Sequence, residues 1–288
     1  MNIAIASGKG GTGKTTIAIN LALSLRSAHP LLLDCDVEEP NVHLFLKPAI
    51  EWREEVGLLI PEVDLEKCTY CGRCAEVCQY HAIAVLGEHV LVFPELCHGC
   101  GSCALNCPTG AISEVPKTMG VIEGGQAGLI PFAHGIMNVG EAMATPIIRQ
   151  LKRRTLGDAG ADDRVVILDA PPGSSCPVVE TMRGADFVLM VTEPTPFGLH
   201  DLRLAVDVAR ELDLPVGVVV NRDGIGDTGV DEYCATEGIP ILMRIPLDRR
   251  IAEAYSEGVP LVEVLPEYRE RFRQLYEEIQ RLVRGREA

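Results

Sequence analysis

Short apolar runs alternate with amphipathic stretches along most of the 288-residue chain. The runs Asn2–Ala6, Pro30–Asp34, Val165–Asp169, Asp186–Thr192, Val216–Asn221 and Ile239–Ile245 predict strands, and their Val, Ile, Leu and Ala content suits buried parallel ones. Between them the spacing predicts helices near Lys14–Leu25, Thr145–Leu156, Leu199–Leu212 and Asp248–Glu257. Together they predict an α/β fold, a mostly parallel sheet with helices on both faces. Glu267–Arg284 predicts a last helix whose Tyr268, Phe272, Leu275, Ile279 and Leu282 form one apolar stripe. Its polar face mixes acids and bases, which favours docking on the sheet over lying on a membrane.

The pattern breaks between about Asp64 and Pro116, where eight of the eleven cysteines fall. Cys68, Cys71, Cys74 and Cys78 recur twenty-nine residues later as Cys97, Cys100, Cys103 and Cys107. The copies continue alike, with His81-Ala82-Ile83 and Gly110-Ala111-Ile112, so the stretch is an internal repeat. This divides the chain into a larger unit, 1–63 and 117–288, and a small α+β insert, 64–116.

An apolar content of 47% supports a substantial core, and 5% aromatic residues make it mostly aliphatic. The formal charge of −15 argues against nucleic-acid binding, which needs a basic surface. It fits simple solubility, or an acidic face for a basic redox partner. No segment has the length and apolar purity to span a bilayer, and a strand at Asn2 leaves no room for a signal peptide. A cytoplasmic protein without stable membrane anchoring is expected. In a reducing compartment its cysteines read as metal ligands rather than disulfides.

Gly8-Lys9-Gly10-Gly11-Thr12-Gly13-Lys14-Thr15-Thr16 follows a strand and opens a helix, the setting of a phosphate-binding loop. Its glycines let backbone N–H groups turn toward phosphate oxygens, and the helix N-terminus favours the anion. Lys14 is placed for the β- and γ-phosphates and Thr15 for Mg²⁺. The form GKGGTGKTT resembles the deviant Walker A of the MinD/ParA/Mrp and nitrogenase iron-protein superfamily. That resemblance implies ATP and ADP as ligands, Mg²⁺-dependent hydrolysis, and an ATP-sandwich dimer in which Lys9 reaches the other subunit's nucleotide. The dimer is a homodimer or a pair with a similar paralogue.

The resemblance extends further. Asp34-Cys35-Asp36-Val37 looks like switch I, where Asp36 would orient or deprotonate the attacking water. Val165–Asp169 with Ala170-Pro171-Pro172-Gly173 looks like Walker B and switch II, with Asp169 beside Mg²⁺ and the Gly173 N–H offered to the γ-phosphate. Asn221, after its strand, would contact adenine, and Ile245-Pro246-Leu247-Asp248 would line the base pocket.

Cys-x₂-Cys-x₂-Cys-x₃-Cys, twice over and ending in Cys107-Pro108, resembles a bacterial two-cluster ferredoxin. The resemblance assigns Cys68, Cys71, Cys74 and Cys107 to one [4Fe–4S] cluster and Cys97, Cys100, Cys103 and Cys78 to a second. Gln79 stands where proline follows the fourth cysteine in the pattern. Paired Cys-x₂-Cys also suits zinc, the competing assignment. His81 and His98 adjoin the runs, as surface residues or as hydrogen-bonding tuners of a cluster. Cys35, in a strand, and Cys234, in a helix, read as buried thiols. Cys176, just after switch II, reads as a packed thiol; a cysteine in the corresponding stretch of the nitrogenase iron protein bridges a cluster across its dimer.

As a whole the chain resembles MinD-superfamily ATPases with an inserted ferredoxin domain. Three functions follow from that resemblance. In the first, nucleotide state gates electron transfer through two clusters to a protein redox partner; alternatively the ATPase assembles or carries iron–sulfur or other metal centres. A cell-positioning ATPase is third, weakened because no basic amphipathic tail is evident.

Overall fold

The computed structural model describes residues 1–157 and 164–287; the expected unit 117–288 therefore includes residues 158–163 and 288, outside the described residues. Its strands are β1 (Asn2–Ala6), β2 (Leu31–Asp34), β3 (Ala49–Val63), β4 (Ile83–Leu86), β5 (His89–Val92), β6 (Ile112–Ala127), β7 (Ile130–Met137), β8 (Val166–Asp169), β9 (Phe187–Thr192), β10 (Val216–Asp223) and β11 (Ile241–Pro246). Nine of them form one sheet in the order β11-β10-β9-β1-β8-β2-β7-β6-β3. Every pairing from β11 through to β7 is parallel, and β6 and β3 add on antiparallel. The mixed, mostly parallel sheet matches the expectation.

Helices flank the sheet on both sides. They are α1 (Lys14–Ser24), α2 (Val42–Leu46), α3 (Arg73–Glu76), α4 (Ser102–Leu105), α5 (Thr145–Leu156), α6 (Cys176–Met182), α7 (Pro196–Glu211), α8 (Gly229–Thr236), α9 (Arg249–Ser256), α10 (Leu261–Val264) and α11 (Tyr268–Glu287). The helix expected from Leu199 starts at Pro196 instead, because the Thr195 hydroxyl caps it by accepting the Gly198 N–H at 3.0 Å.

Buried apolar strands serve two cores at once. Ile3 and Ile5 of β1 face one side with α1, α10 and α11, while Ala4 and Ala6 face the other with α5, α6, α7 and α8. The expected stripe of α11 packs into the first core: Tyr268, Phe272, Leu275 and Ile279 are buried and Leu282 is partly so. Both cores are mainly aliphatic.

The sheet's antiparallel end was not foreseen. β3 and β6 pair over almost their whole length, but only the later part of β6, from Gly120, also pairs with β7. Outward from Gly57↔Thr118 the two strands form an arm of their own. A bulge marks its root: Val56 faces Gly120 and Gly57 faces Thr118, so the register skips Met119, which turns into the core. A Cβ on Gly57 would lie 2.3 Å from the Lys117 carbonyl oxygen, so glycine is required there. Nearby, buried His134 of β7 shares a 2.9 Å hydrogen bond between Nε2 and Glu123 Oε1, and Arg53 of β3 pairs with Glu123 at 2.9 Å. Burial lowers the His134 pKa, so the neutral ring donates to Glu123 and ties β7, β6 and β3 together. The cysteine-rich chain, 64–111, hangs between the ends of β3 and β6 with the small β4–β5 hairpin and short α3 and α4.

Candidate functional site

The loop between β1 and α1 is shaped by its neighbours. Gly13 takes φ +99°, and a Cβ there would fall 2.4 Å from Asn221 Nδ2, which itself donates to the Thr12 carbonyl at 2.7 Å. Asn221 is thus built into the loop's support as well as lining the cleft. That cleft runs along Gly10, Gly11, Gly13, Lys14, Thr15 and Thr16, past Asp36 and Pro172, to Asn221. It continues over Ile245-Pro246-Leu247-Asp248, the expected base-pocket segment, and reaches Tyr255, which was not foreseen. Gly8 packs so closely that a Cβ would lie 2.1 Å from the Asp201 carbonyl oxygen.

Parallel pairing brings the acidic groups together, because β2 and β8 are adjacent with Asp34 opposite Asp169. Asp34 is structural: its carboxylate accepts the N–H groups of Asp36 (3.1 Å), Asn41 (3.0 Å) and Val42 (3.0 Å), forming the turn that presents Asp36. Burial pushes the Asp36 pKa up to about 6, against the Glu39 N–H and Lys14, which lower it. Asp169 is raised by burial too, opposed by the Thr15 hydroxyl and Lys14. Thr15 is near enough to be felt by Asp169 but not in hydrogen-bonding geometry, and both buried carboxylate oxygens lack a partner. An unpartnered buried carboxylate beside a threonine hydroxyl fits a bound cation. Lys14 is 7% exposed, its pKa lowered by burial and raised by Asp169 and Asp36.

A pH signature follows. With its folded pKa raised to about 6, Asp36 holds a proton that the unfolded chain has already released. Its contribution to stability is therefore greatest below about pH 4, the unfolded value, and is lost as pH rises through about 6. Denaturant midpoints of the nucleotide-free protein, measured between pH 4 and 7, are expected to fall less steeply in Asp36→Asn than in the wild type.

Two expected contacts differ. The Gly173 N–H, expected on a γ-phosphate, donates to the Ser7 carbonyl at 3.0 Å, so reaching a phosphate requires that bond to open. Lys9, expected to point to a second subunit, pairs within its own chain: Nζ lies 3.3 Å from Glu193 Oε2. Glu193 was not singled out for this contact, and no local spacing signals it.

The cysteines gather into two recesses at the arm's tip. One is lined by Cys68, Cys71 and Cys74 with Cys107, the other by Cys97, Cys100 and Cys103 with Cys78. Their volumes, open mouths included, are about 340 and 370 Å³, near equal as a repeat requires. Backbone donors repeat as well: the N–H of Tyr70 meets Cys68 Sγ and that of Gly99 meets Cys97 Sγ, while Ala82 meets Cys78 and Ala111 meets Cys107. Positive φ recurs at Tyr70 and Gly99, at Gly72 and Gly101, and at His81 and Gly110. Among the described residues no three His, Cys, Asp or Glu side chains converge to hold a single metal ion. His98 stacks on Tyr80 at 3.7 Å beside the second recess, and His81 is exposed. Cys35 and Cys234 are buried as expected, Cys35 lying just past the end of β2 rather than within it. Cys176 corrects the expectation of a packed thiol: it opens α6 and is exposed, since the turn after Gly173 leads it along the surface.

Comparison with known proteins adds to this geometry. The model of the CobQ/CobB/MinD/ParA nucleotide binding domain matches residues 3–261. An uncharacterized protein of Methanocaldococcus jannaschii is 32% identical over 260 residues, covering 90% of each chain. The iron-sulfur cluster carrier protein of Pyrococcus abyssi is 27% identical over 279 residues, 90% of this chain and 78% of that one. Among solved structures, the septum site-determining protein MinD of Pyrococcus horikoshii, complexed with Mg-ADP, shares the fold with a TM-score of 0.56 at 20% identity, over 96% of this chain and 95% of that one. Among the described residues no helix is long and apolar enough to cross a membrane.

Proposed function

The chain belongs to the CobQ/CobB/MinD/ParA nucleotide-binding family and is an ATP-hydrolysing enzyme; from that premise we propose that it assembles or carries iron–sulfur or other metal centres, holding two [4Fe–4S] clusters at the tip of its arm. The observation that carries this is the pair of recesses, each lined by three cysteines of one run and the fourth of the other. Thiolates around a single tetrahedral zinc would stand only about 3.8 Å apart, from Zn–S bonds of about 2.3 Å, whereas a four-iron cube fills the space between its ligands. No three of these side chains converge on a single ion among the described residues, an arrangement that suits the cube better than zinc. Cys71 and Cys100 are exposed, which leaves both sites open to an acceptor. Relatedness to carrier proteins supports carriage over electron gating.

At the nucleotide site, Lys14 and the loop N–H groups bind the phosphates, and Thr15 with Asp169 would hold Mg²⁺. The metal, when bound, offsets charge on the transferring phosphoryl group. Asp36 accepts the proton of the attacking water, for which a pKa of about 6 keeps it mainly ionised at neutral pH. Lys9 completes the site of a second copy in a dimer.

Two clusters side by side would also suit an electron relay, and one experiment separates the two functions. Protein reconstituted with ⁵⁷Fe is incubated anaerobically with an apo-acceptor, with and without Mg-ATP. Carriage is expected to move ⁵⁷Fe to the acceptor at a nucleotide-dependent rate. Retention of all iron, with nucleotide-dependent reduction of a redox partner, would replace carriage by the relay.

A further inference from the structure

The loop apex is tied to the ends of two neighbouring strands by one carboxylate. Glu193 directly follows β9, and its side chain is only 8% exposed. It holds two cations: Arg222 Nη1 at 2.6 Å through Oε1, and Lys9 Nζ at 3.3 Å through Oε2. Arg222, at φ +53° near the end of β10, also donates through Nη2 to the Gly11 carbonyl at 3.2 Å. Meanwhile the Ser7 hydroxyl donates to the Lys9 carbonyl at 2.6 Å, so the lysine backbone is fixed while its ammonium is held.

We propose that Glu193 is a positioning residue for Lys9 that restrains dimerisation: it holds Lys9 within its own subunit, and dimer assembly draws the lysine away to the second copy's nucleotide. The inference rests on Lys9 acting across the dimer, as proposed above. The physical reason the pair can open lies in its second cation. A buried carboxylate left without a counter-ion is costly, so a Glu193–Lys9 pair alone would resist release. Arg222 removes that obstacle, because its closer contact keeps Glu193 compensated after Lys9 departs. Lys9 is the weaker-held partner and is itself 32% exposed, so the ammonium regains water or phosphate contact when it leaves.

Lys9 release then becomes a cost of dimerisation that particular substitutions shift in opposite directions. The full-length protein is assayed for ATPase activity per chain as a function of protein concentration at saturating Mg-ATP, with dimer fraction followed by light scattering. Glu193→Gln, which keeps the shape and an acceptor for Arg222, is expected to lower the half-maximal concentration about fivefold, in the range set by one partly exposed ion pair. Arg222→Gln leaves Lys9 as the sole counter-ion and is expected to raise it. General damage to the site would move both variants upward. A Glu193→Gln midpoint equal to or above wild type, with Lys9→Ala inactive, would overturn the positioning role alone. Full activity of Lys9→Ala would overturn the cross-dimer reading, and the positioning role with it. Melting curves show whether Glu193→Gln folds; if it does not, Glu193→Asp, retracted by one methylene from Lys9, is expected to shift the midpoint the same way.

Discussion

Asp36→Asn is expected to bind ATP and fail to hydrolyse it, with kcat lowered by about 10²–10⁴-fold, the usual contribution of a positioned general base. The substitution keeps the side chain's size and its place on the turn, since the Asp34 carboxylate accepts three N–H groups there and an asparagine oxygen can still accept the Glu39 N–H. It removes a cleft carboxylate that is partly accessible and near Lys14. Asp169 is a poor substitute, because it is buried at 1% exposure, where an attacking water cannot reach it. Loss of a negative charge near the phosphates should leave nucleotide affinity equal or higher. Filter binding and single-turnover hydrolysis with labelled ATP separate the two effects. A variant that hydrolyses at the wild-type rate would assign water activation elsewhere.

The second large effect concerns the exchanged fourth cysteine. Cys78 follows the first run in sequence but lines the recess of the second, and Cys107 does the reverse. Cys78→Ser is therefore expected to remove the metal held by Cys97, Cys100 and Cys103 while sparing that held by Cys68, Cys71 and Cys74. Each of Cys78→Ser and Cys107→Ser should lose about half of the chain's iron, and the two together nearly all of it. Substituting Cys35, Cys176 or Cys234 should leave iron content unchanged, as none of them lines a recess. Spectra of the two single variants should then report different clusters. Loss of both clusters from each single variant would indicate one shared site.

These features were unequally legible in the sequence. The phosphate loop and the parallel strands were readable because their signals are local: glycine spacing, a continuous apolar run, a helix that follows at once. The repeat of the cysteines was legible in their spacing, while the exchange of the fourth cysteine came only with the resemblance to two-cluster ferredoxins. β3, β6 and β7 were not, for a physical reason. In the outer arm Leu58, Leu59 and Ile60 run together, so the apolar alternation of a half-buried strand is lost, and Pro61 and Pro116 in the arm, with Gly120, Gly124 and Gly125 further along β6, weaken strand propensity. Those strands are held by each other and by the Glu123 links to Arg53 and His134, contacts between residues far apart in the chain. The same is true of Glu193: its partners Lys9 and Arg222 come from different strand ends, and only the sheet order brings them together.

The most direct measurement is the metal and sulfide content of the protein purified anaerobically, with EPR of its reduced form. About eight irons and eight acid-labile sulfides per chain, with signals from two reduced four-iron clusters, are expected. About two zinc ions per chain and no labile sulfide, or one iron–sulfur cluster shared between two chains, would contradict it.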